Sequence, residues 1–327
     1  MDLSFPKAEL HLHLEGCIEP ATLRELGRRR GLASGAMSDA ELAERYRYDD
    51  FLGFLMAFKW VVQHLETPED YGLVAARLLE RLHEQGVAYA EIYFSAGIAV
   101  KRNLAVEAIF DALEEAQGRA EQHCGIRARW IVDAVRQFGP EAAEQVVRLA
   151  ARWRERGVVG IGLGGSEEEG PPHLFRRAYE MARAEGLRLT VHAGETTGPE
   201  AIWEAIRELG PDRIGHGCSA VEDPTLLEYL RDRQIPVEVA VTSNYATGAV
   251  GAGTPHPVRR MFEAGLLVVI NSDDPAMFHT SLNAEYQRLA ERHGFTAAEL
   301  RRLARNSFRA AFLTAEEKQR YLGDHLC

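Results

Sequence analysis

The chain has 327 residues, of which 46% are apolar, and a formal net charge of −11 at pH 7. The excess of negative charge argues against a nucleic-acid partner, whose phosphate backbone would be repelled. No run approaches about 18 apolar residues, so we expect no contact with a membrane. The four cysteines are scattered without a CxxC pair, and no apolar leader is present, which favours a cytoplasmic protein.

The first predicted strand spans residues 7–14 and alternates polar and apolar side chains. Alternation places His11 and His13 on one face of the strand, where two imidazoles can hold one metal ion. Two hydrogen-bonded histidines in a polar rim would give the same pattern. The motif alone therefore leaves both interpretations open.

Four helices are predicted before the next strand, over residues 20–31, 38–48, 50–66 and 68–85. The third helix carries Phe51, Phe54 and Phe58 at helical spacing. A stripe of this kind is most often core. It equally suits one wall of a pocket, because the segment lies between the first two strands.

Strands and helices then alternate along the chain. Further strands are predicted over residues 87–94, 127–135, 158–163, 187–191, 213–216, 235–241 and 266–271, and helices over 106–124, 140–156, 173–185, 199–209, 224–233, 258–264 and 297–314. This alternation is typical of an α/β protein of the (β/α)8 TIM barrel class. We predict a single barrel domain over residues 1–327, with extra helices between strands 1 and 2 and at the C-terminus.

Polar residues gather where the strands are predicted to end. In a (β/α)8 barrel the active site lies at the C-terminal ends of the strands. The residues expected there are His11, His13, Gly164, Gly165, His192, Glu195, His216, Asp273 and Asp274. Each motif alone is weak evidence, since residues 190–195 also fit a buried strand that ends in a turn, and residues 271–275 fit a capped turn. Together they favour a reaction centre.

Three histidines and an aspartate form a ligand set suited to zinc. His11, His13 and His192 supply nitrogen ligands, and Asp273 supplies a carboxylate. A metal with one open position binds water and lowers the pKa of that water towards neutral.

Three further side chains at the predicted barrel mouth suit proton transfer and substrate binding. Glu195 could hold a proton for the substrate or the leaving group, provided that a dry pocket raises its pKa. His216 could take a proton from the water, or orient and stabilise the nucleophile. Asp274 could accept a hydrogen bond from the substrate.

The motifs resemble those of the adenosine deaminase family, within the amidohydrolase superfamily. They follow the family order over nearly the whole chain: residues 11–16 (HLHLEG), 192–195 (HAGE), 213–217 (RIGHG), 242–244 (TSN), 256–257 (HP) and 271–275 (NSDDP). The resemblance implies hydrolytic deamination of a 6-aminopurine with one Zn²⁺ per chain. A two-metal site is disfavoured, because no lysine ends the fourth strand.

The resemblance also implies a role for each matching residue. The metal ligands would be His11, His13, His192 and Asp273. Glu195 would protonate the purine N1, His216 would serve as catalytic base or electrostatic partner of the nucleophile, Asp274 would face N7, and the Gly165 N–H would face N3.

Two departures from the family pattern bear on the substrate. Glu15 stands where adenosine deaminases usually carry the aspartate that contacts the ribose 5′-hydroxyl, so it is a candidate substrate contact. Residues 162–167 (GLGGSE) replace the usual Asp-Leu-Ala-Gly-Asp-Glu, and they also lack the Asp-Ser-Ser-Glu of adenine deaminases. Phe51, Phe54 and Phe58 could line a lid over an apolar or aromatic 5′ substituent.

Our leading substrate is therefore 6-aminodeoxyfutalosine of the alternative menaquinone pathway, followed by adenosine and then adenine. A catalytically silent barrel relative is the non-enzyme alternative, and the complete set of motifs disfavours it. The sequence does not predict an oligomeric state.

Overall fold

Eight parallel strands pair in chain order in the computed structural model, which describes residues 3–324. The strands are β1 Lys7–His13, β2 Val87–Phe94, β3 Arg127–Val135, β4 Val158–Gly164, β5 Arg188–Ala193, β6 Arg213–His216, β7 Val237–Val239 and β8 Val268–Ile270. Nearly all of their residues are buried, as expected for strands covered by helices on the outside of a barrel. The predicted (β/α)8 barrel is confirmed.

Helices surround the barrel and add to it at two places. They are α1 Pro20–Arg29, α2 Asp39–Arg45, α3 Phe51–Val62, α4 Pro68–Glu84, α5 Ala96–Lys101, α6 Val106–Cys124, α7 Pro140–Trp153, α8 Arg176–Ala184, α9 Pro199–Glu208, α10 Pro224–Arg233, α11 Val241–Ala246, α12 Val258–Glu263, α13 Leu282–His293, α14 Ala297–Ala310 and α15 Ala315–Asp324. The predicted extra helices follow β1 and β8. None of the helices in the described range has the length and apolar character needed to cross a membrane.

The strand predicted over residues 235–241 is wrong at its end. β7 stops at Val239, and helix α11 begins at Val241. Apart from Glu238, residues 237–242 are apolar or β-branched and have strand character, which hid the start of a six-residue helix. This helix carries the Thr242-Ser243-Asn244 motif, so the error concerns the surroundings of the site.

The barrel closes between β8 and β1 through residues beyond the end of β8. The N–H of Asp273 donates to the His11 carbonyl at 3.1 Å, and the N–H of His13 donates to the Asp273 carbonyl at 2.9 Å. The side-chain oxygen of Asn271 accepts the N–H groups of Leu10 and His11 at 2.9 and 3.1 Å. A side-chain amide thus replaces part of the missing strand ladder.

A buried ion cluster fills part of the barrel interior. Arg213 pairs with Glu91 and Glu238, and all three side chains have no solvent exposure. Because two carboxylates face one guanidinium, each buried charge has a partner. The cluster fixes the position of Glu238, which also contacts His11. The single domain predicted over residues 1–327 stays a prediction.

Candidate active site

A cavity of about 580 Å³ lies at the C-terminal ends of the strands. Ten of the twelve predicted site residues line it, namely His13, Phe51, Phe54, Phe58, Gly165, His192, Glu195, His216, Asp273 and Asp274. The two that do not are His11 and Glu15. His11 lies beneath the cavity floor within the metal-ligand cluster, and Glu15 lies behind the wall.

The four predicted metal ligands come together from three parts of the chain. One ligand atom each from His11, His13, His192 and Asp273 can be chosen so that all lie within 4.8 Å of one another. The Nε2 atoms of His13 and His192 are 3.3 Å apart, and the Asp273 Oδ1 lies 3.6 and 3.4 Å from the Nε2 atoms of His11 and His13. All four side chains are buried.

The hydrogen bonds of these histidines leave Nε2 free to bind a metal. His192 donates from Nδ1 to the Leu163 carbonyl at 3.1 Å, because a carbonyl can only accept. His11 places Nδ1 2.8 Å from the Glu238 carboxylate. The His11 Nε2 is buried and has no hydrogen-bond partner. A set of three imidazoles and one carboxylate with oriented rings therefore fits zinc.

The charges around His11 also favour a cation at this point. Burial favours the neutral ring, yet the nearby carboxylates of Asp273 and Glu238 outweigh it and raise the pKa of His11 to about 10. The negative potential that would hold a proton on His11 equally attracts a divalent ion.

Glu195 and His216 face each other beside the metal ligands. The Nε2 of His216 lies 3.5 Å from Oε2 of Glu195. Burial, followed by repulsion from Asp273 and Glu167, raises the pKa of Glu195 well above its ordinary value, which favours a carboxyl that carries a proton. His216 and Asp273 both have left-handed backbone conformations, with φ of 61° and 64°, which are uncommon outside glycine and cluster at functional sites.

A second carboxylate anchors the loop that carries Glu195. Glu167 is buried, and its two oxygens accept the backbone N–H groups of Gly194, Glu195 and Thr196 at 2.8, 2.9 and 2.9 Å. The hydroxyl of Thr197 donates to the same carboxylate at 2.8 Å. These bonds fix the backbone of the turn after β5 and therefore the position of the Glu195 side chain.

Two glycines make room for polar groups at the cavity wall. A Cβ atom on Gly16 would lie 1.7 Å from Oδ1 of Asp274, so only glycine fits beside this carboxylate. Gly165 has φ of 96°, and a Cβ there would lie 2.2 Å from Oε1 of Gln137. The Asp274 Oδ1 is buried without a hydrogen-bond partner. Burial, followed by repulsion from Asp273, raises the pKa of Asp274 well above its ordinary value, which favours a carboxyl that can donate a hydrogen bond to a ligand.

Glu15 is buried and does not line the cavity. Its Oε1 accepts the N–H of Ser95 at 3.0 Å, and Oε2 is buried without a partner. Burial raises the pKa of Glu15 to about 7. Ser95 rather than Glu15 lines the cavity, so the predicted contact between Glu15 and substrate stays a prediction.

Aromatic side chains of α3 form the outer wall of the cavity. The ring centroid of Phe54 lies 5.0 Å from that of Phe278, in a stacked arrangement, and 6.0 Å from that of Phe58. Phe51 and Phe58 are only partly buried, as expected for residues that face an open cavity. The stripe identified in the sequence is thus a pocket wall whose inner edge packs on the core.

Several residues around the site were given no role from the sequence, although Ser243 and Asn244 belong to the motif at residues 242–244. Ser243 donates to Oδ2 of Asp273 at 2.7 Å, and Asn244 contacts His216 at 2.9 Å. Glu238 is an acid within a buried strand, and that unusual placement could have identified it. Asp133, near the end of β3, lines the cavity, and burial raises its pKa to about 8. The position of the Asp133 carboxylate near the end of a predicted strand could have identified it from the sequence.

The comparisons with known proteins agree with this geometry. The adenosine deaminase family model matches residues 6–325. The aminodeoxyfutalosine deaminase of Streptomyces avermitilis is 42% identical over 317 residues, which cover 96% of this chain and 88% of that protein.

Two solved structures agree in fold over nearly the whole chain. The adenine deaminase from Arthrobacter aurescens superposes with a TM-score of 0.93 at 32% identity and covers 97% of each chain. A zinc-bound amidohydrolase from Burkholderia ambifaria superposes with a TM-score of 0.90 at 28% identity, covering 98% of this chain and 89% of that one. The chain therefore belongs to the adenosine deaminase family, a group of hydrolases that remove the amino group of a purine.

Proposed function

We propose that this chain is a zinc-dependent deaminase of a 6-aminopurine nucleoside, with water attacking C6 and ammonia leaving. The observation that carries the proposal is the single cavity that joins the metal-ligand cluster to Glu195, His216 and Asp274. A metal ion, a proton carrier and an unpaired carboxyl group within one cavity are what hydrolysis at a purine C6 requires.

The metal ligands serve to supply the nucleophile in the proposed reaction. A zinc ion held by His11, His13, His192 and Asp273 would lower the pKa of a water molecule and so supply the nucleophile.

Glu195, Asp274 and the N–H of Gly165 contact the purine in the proposed reaction, and His216 contacts the attacking oxygen. Glu195, which carries a proton, donates it to N1 and makes C6 more electrophilic. Asp274 faces N7, and the N–H of Gly165 donates to N3. His216 orients the attacking oxygen.

The leading substrate is 6-aminodeoxyfutalosine. The 42% identical relative with that activity in its name supports this choice, and so does the apolar outer wall built by Phe51, Phe54 and Phe58. This wall suits an apolar or aromatic group at the 5′ position better than a bare hydroxyl. The assignment also implies a role in menaquinone biosynthesis.

Adenosine and adenine are the alternatives. The family description favours adenosine, and the similar structure from A. aurescens favours adenine. A catalytically silent relative would lack one or more of the groups above. All four ligands and Glu195 are present, which argues against it.

Ammonia release from the three compounds tests the proposal. We expect the zinc-loaded protein to deaminate 6-aminodeoxyfutalosine with the highest kcat/KM, and Glu195→Gln to lose about 10²-fold or more of that rate because it cannot donate a carboxyl proton. A preference for free adenine would contradict the nucleoside assignment. If no compound is deaminated, the purine assignment fails, although the fold and the cluster remain.

A further inference from the structure

A chain of hydrogen bonds leads from the backbone of α12 to His216. Its members are Val258, His256, Asn244 and His216, and the three side chains are buried. The His256-Pro257 and Thr242-Ser243-Asn244 motifs have no task in the proposed reaction. We propose that His256 and Asn244 fix the tautomer of His216, so that its proton resides on Nε2 and the ring donates a hydrogen bond into the cavity.

The direction of the chain is set at its backbone end. The N–H of Val258 donates to Nδ1 of His256 at 3.1 Å. A backbone N–H can only donate, so this Nδ1 carries a lone pair and the proton of the neutral ring lies on Nε2. Burial lowers the pKa of His256 to about 3, which agrees with a neutral ring.

The amide of Asn244 accepts a hydrogen bond from His256 and donates one to His216. The Nε2 of His256 lies 3.1 Å from Oδ1 of Asn244, so Nε2–H donates to that oxygen. The amide nitrogen Nδ2 of Asn244 then faces Nδ1 of His216 at 2.9 Å and donates to it. The opposite amide orientation would set the NH2 group of Asn244 against the Nε2–H of His256, so that two donors would face each other.

His216 is therefore held as the Nε2–H tautomer. Its Nδ1 lone pair accepts the N–H of Asn244, so the proton of the ring lies on Nε2. Its Nε2 lies 3.5 Å from Oε2 of Glu195, at the cavity. A neutral ring of this tautomer has no lone pair towards the cavity, so it cannot accept a proton there. Of the two roles considered for His216, orientation of the nucleophile is the one this tautomer permits.

The role of the tautomer in catalysis rests on the proposed deaminase function, whereas the tautomer itself does not. Nuclear magnetic resonance separates the two. Long-range ¹⁵N–¹H correlation spectra of zinc-loaded protein labelled with ¹⁵N-histidine show which ring nitrogen carries the proton, and His216→Gln identifies the signals of His216 by their loss. We expect the His216 proton on Nε2. A proton on Nδ1 would overturn the proposal.

Substitution of Asn244 by aspartate should reverse the direction of the hydrogen bond to Nδ1 of His216. Asn244→Asp offers two acceptor oxygens and no donor, so Nδ1 of His216 must carry a proton to pair with it. We expect the spectrum to show that proton and kcat to fall by roughly 10²-fold, while KM changes little. An unchanged His216 spectrum in this variant would contradict the proposal.

Substitution of His256 tests the first half of the chain. Gln at this position still offers an N–H to Asn244 Oδ1, so His256→Gln is expected to keep the His216 tautomer, whereas His256→Leu is expected to give a mixture of tautomers. Equal spectra for both variants would contradict the proposal. These two variants keep the test decisive if Asn244→Asp does not fold.

Tyr245→Phe is the matched control. Tyr245 lies on the same helix and donates to the Thr254 carbonyl at 3.0 Å, outside the chain. We expect its His216 spectrum to equal that of the wild type, and a changed tautomer would assign the effect to helix packing instead. If the substrate panel shows no deamination but the wild-type spectrum shows Nε2–H, the proposed function fails and the assigned tautomer stands.

Discussion

The carboxylate of Glu167 accepts a hydrogen bond from the backbone N–H of Glu195 at 2.9 Å. Glu167→Gln keeps the volume but sets an NH2 group against backbone N–H donors. We expect kcat to fall by about 10- to 100-fold, as for other buried residues that orient a reacting group, and the free energy of unfolding to fall by about 1–3 kcal/mol. Steady-state kinetics and urea unfolding measure both. Glu168→Gln, an exposed neighbour, is the control. An unchanged kcat for Glu167→Gln would show that the loop holds its position without this carboxylate.

Removal of the proposed zinc ion is expected to lower both activity and stability. Four buried ligands that lose their ion leave facing polar groups unpaired. A ligand at about 1,000 times its Kd adds roughly 4 kcal/mol to the folded state. Chelation should therefore lower Tm and abolish deamination, and added zinc should restore both. His123→Ala removes an exposed histidine and should leave zinc content unchanged. Equal Tm values with and without chelator would contradict this prediction.

Glu15 makes the stability of the fold depend on pH. Burial raises the pKa of Glu15 from its ordinary 4.5 to about 7. Between these values the folded protein keeps a proton that the unfolded chain has lost, so its stabilising contribution is complete below pH 4.5 and is lost as the pH rises through 7. At about 1.4 kcal/mol for each pKa unit, the loss is about 3 kcal/mol.

Glu15→Gln removes this dependence because an amide does not titrate. Relative to the wild type, the variant should be about 3 kcal/mol more stable at pH 8 than it is at pH 5, as measured by urea unfolding at each pH. Glu168→Gln is the reference, since its side chain is exposed. A difference that does not change with pH would contradict the prediction. The KM of Glu15→Gln also tests the predicted substrate contact.

The aromatic wall is expected to select the 5′ substituent. Phe58→Ala removes apolar surface from the outer cavity, so kcat/KM for 6-aminodeoxyfutalosine should fall by about 10-fold or more, whereas that for adenosine should change little. Leu52→Ala lies on the same helix, is 68% exposed and does not line the cavity, so it is the control. An equal loss on both substrates would show that Phe58 supports the helix rather than the substrate.

The clustering of polar residues at the strand ends was predictable because it depends only on where these residues lie along the sequence. The sequence placed His11, His13, His192 and Asp273 at strand ends, and parallel strands of a closed barrel must bring those ends to one face. Family motifs then assigned their roles. Residues that act through contacts across the chain could not be found this way. His256 lies 12 positions from Asn244 along the chain, and Glu167 lies 28 from Glu195, so no local periodicity connects either pair.

Glu15 shows that a motif match locates a residue along the chain but does not give the direction of its side chain. The sequence locates it directly after β1, and its carboxylate accepts the N–H of Ser95 without lining the cavity. Packing around a side chain decides such a direction, and packing is set by residues from β2 and its neighbours.

The closure between β1 and β8 has a consequence for how the molecule comes apart. Asp273 joins the two ends of the sheet through its backbone, and its side chain belongs to the cluster that could hold a metal ion. The place where the cylinder can split is therefore also the reaction centre. An ion bound there would clamp two segments that are more than 250 residues apart, much as a crosslink does. Disruption of the closure between β1 and β8 should therefore first be observed as loss of the ion, while the rest of the barrel is still folded.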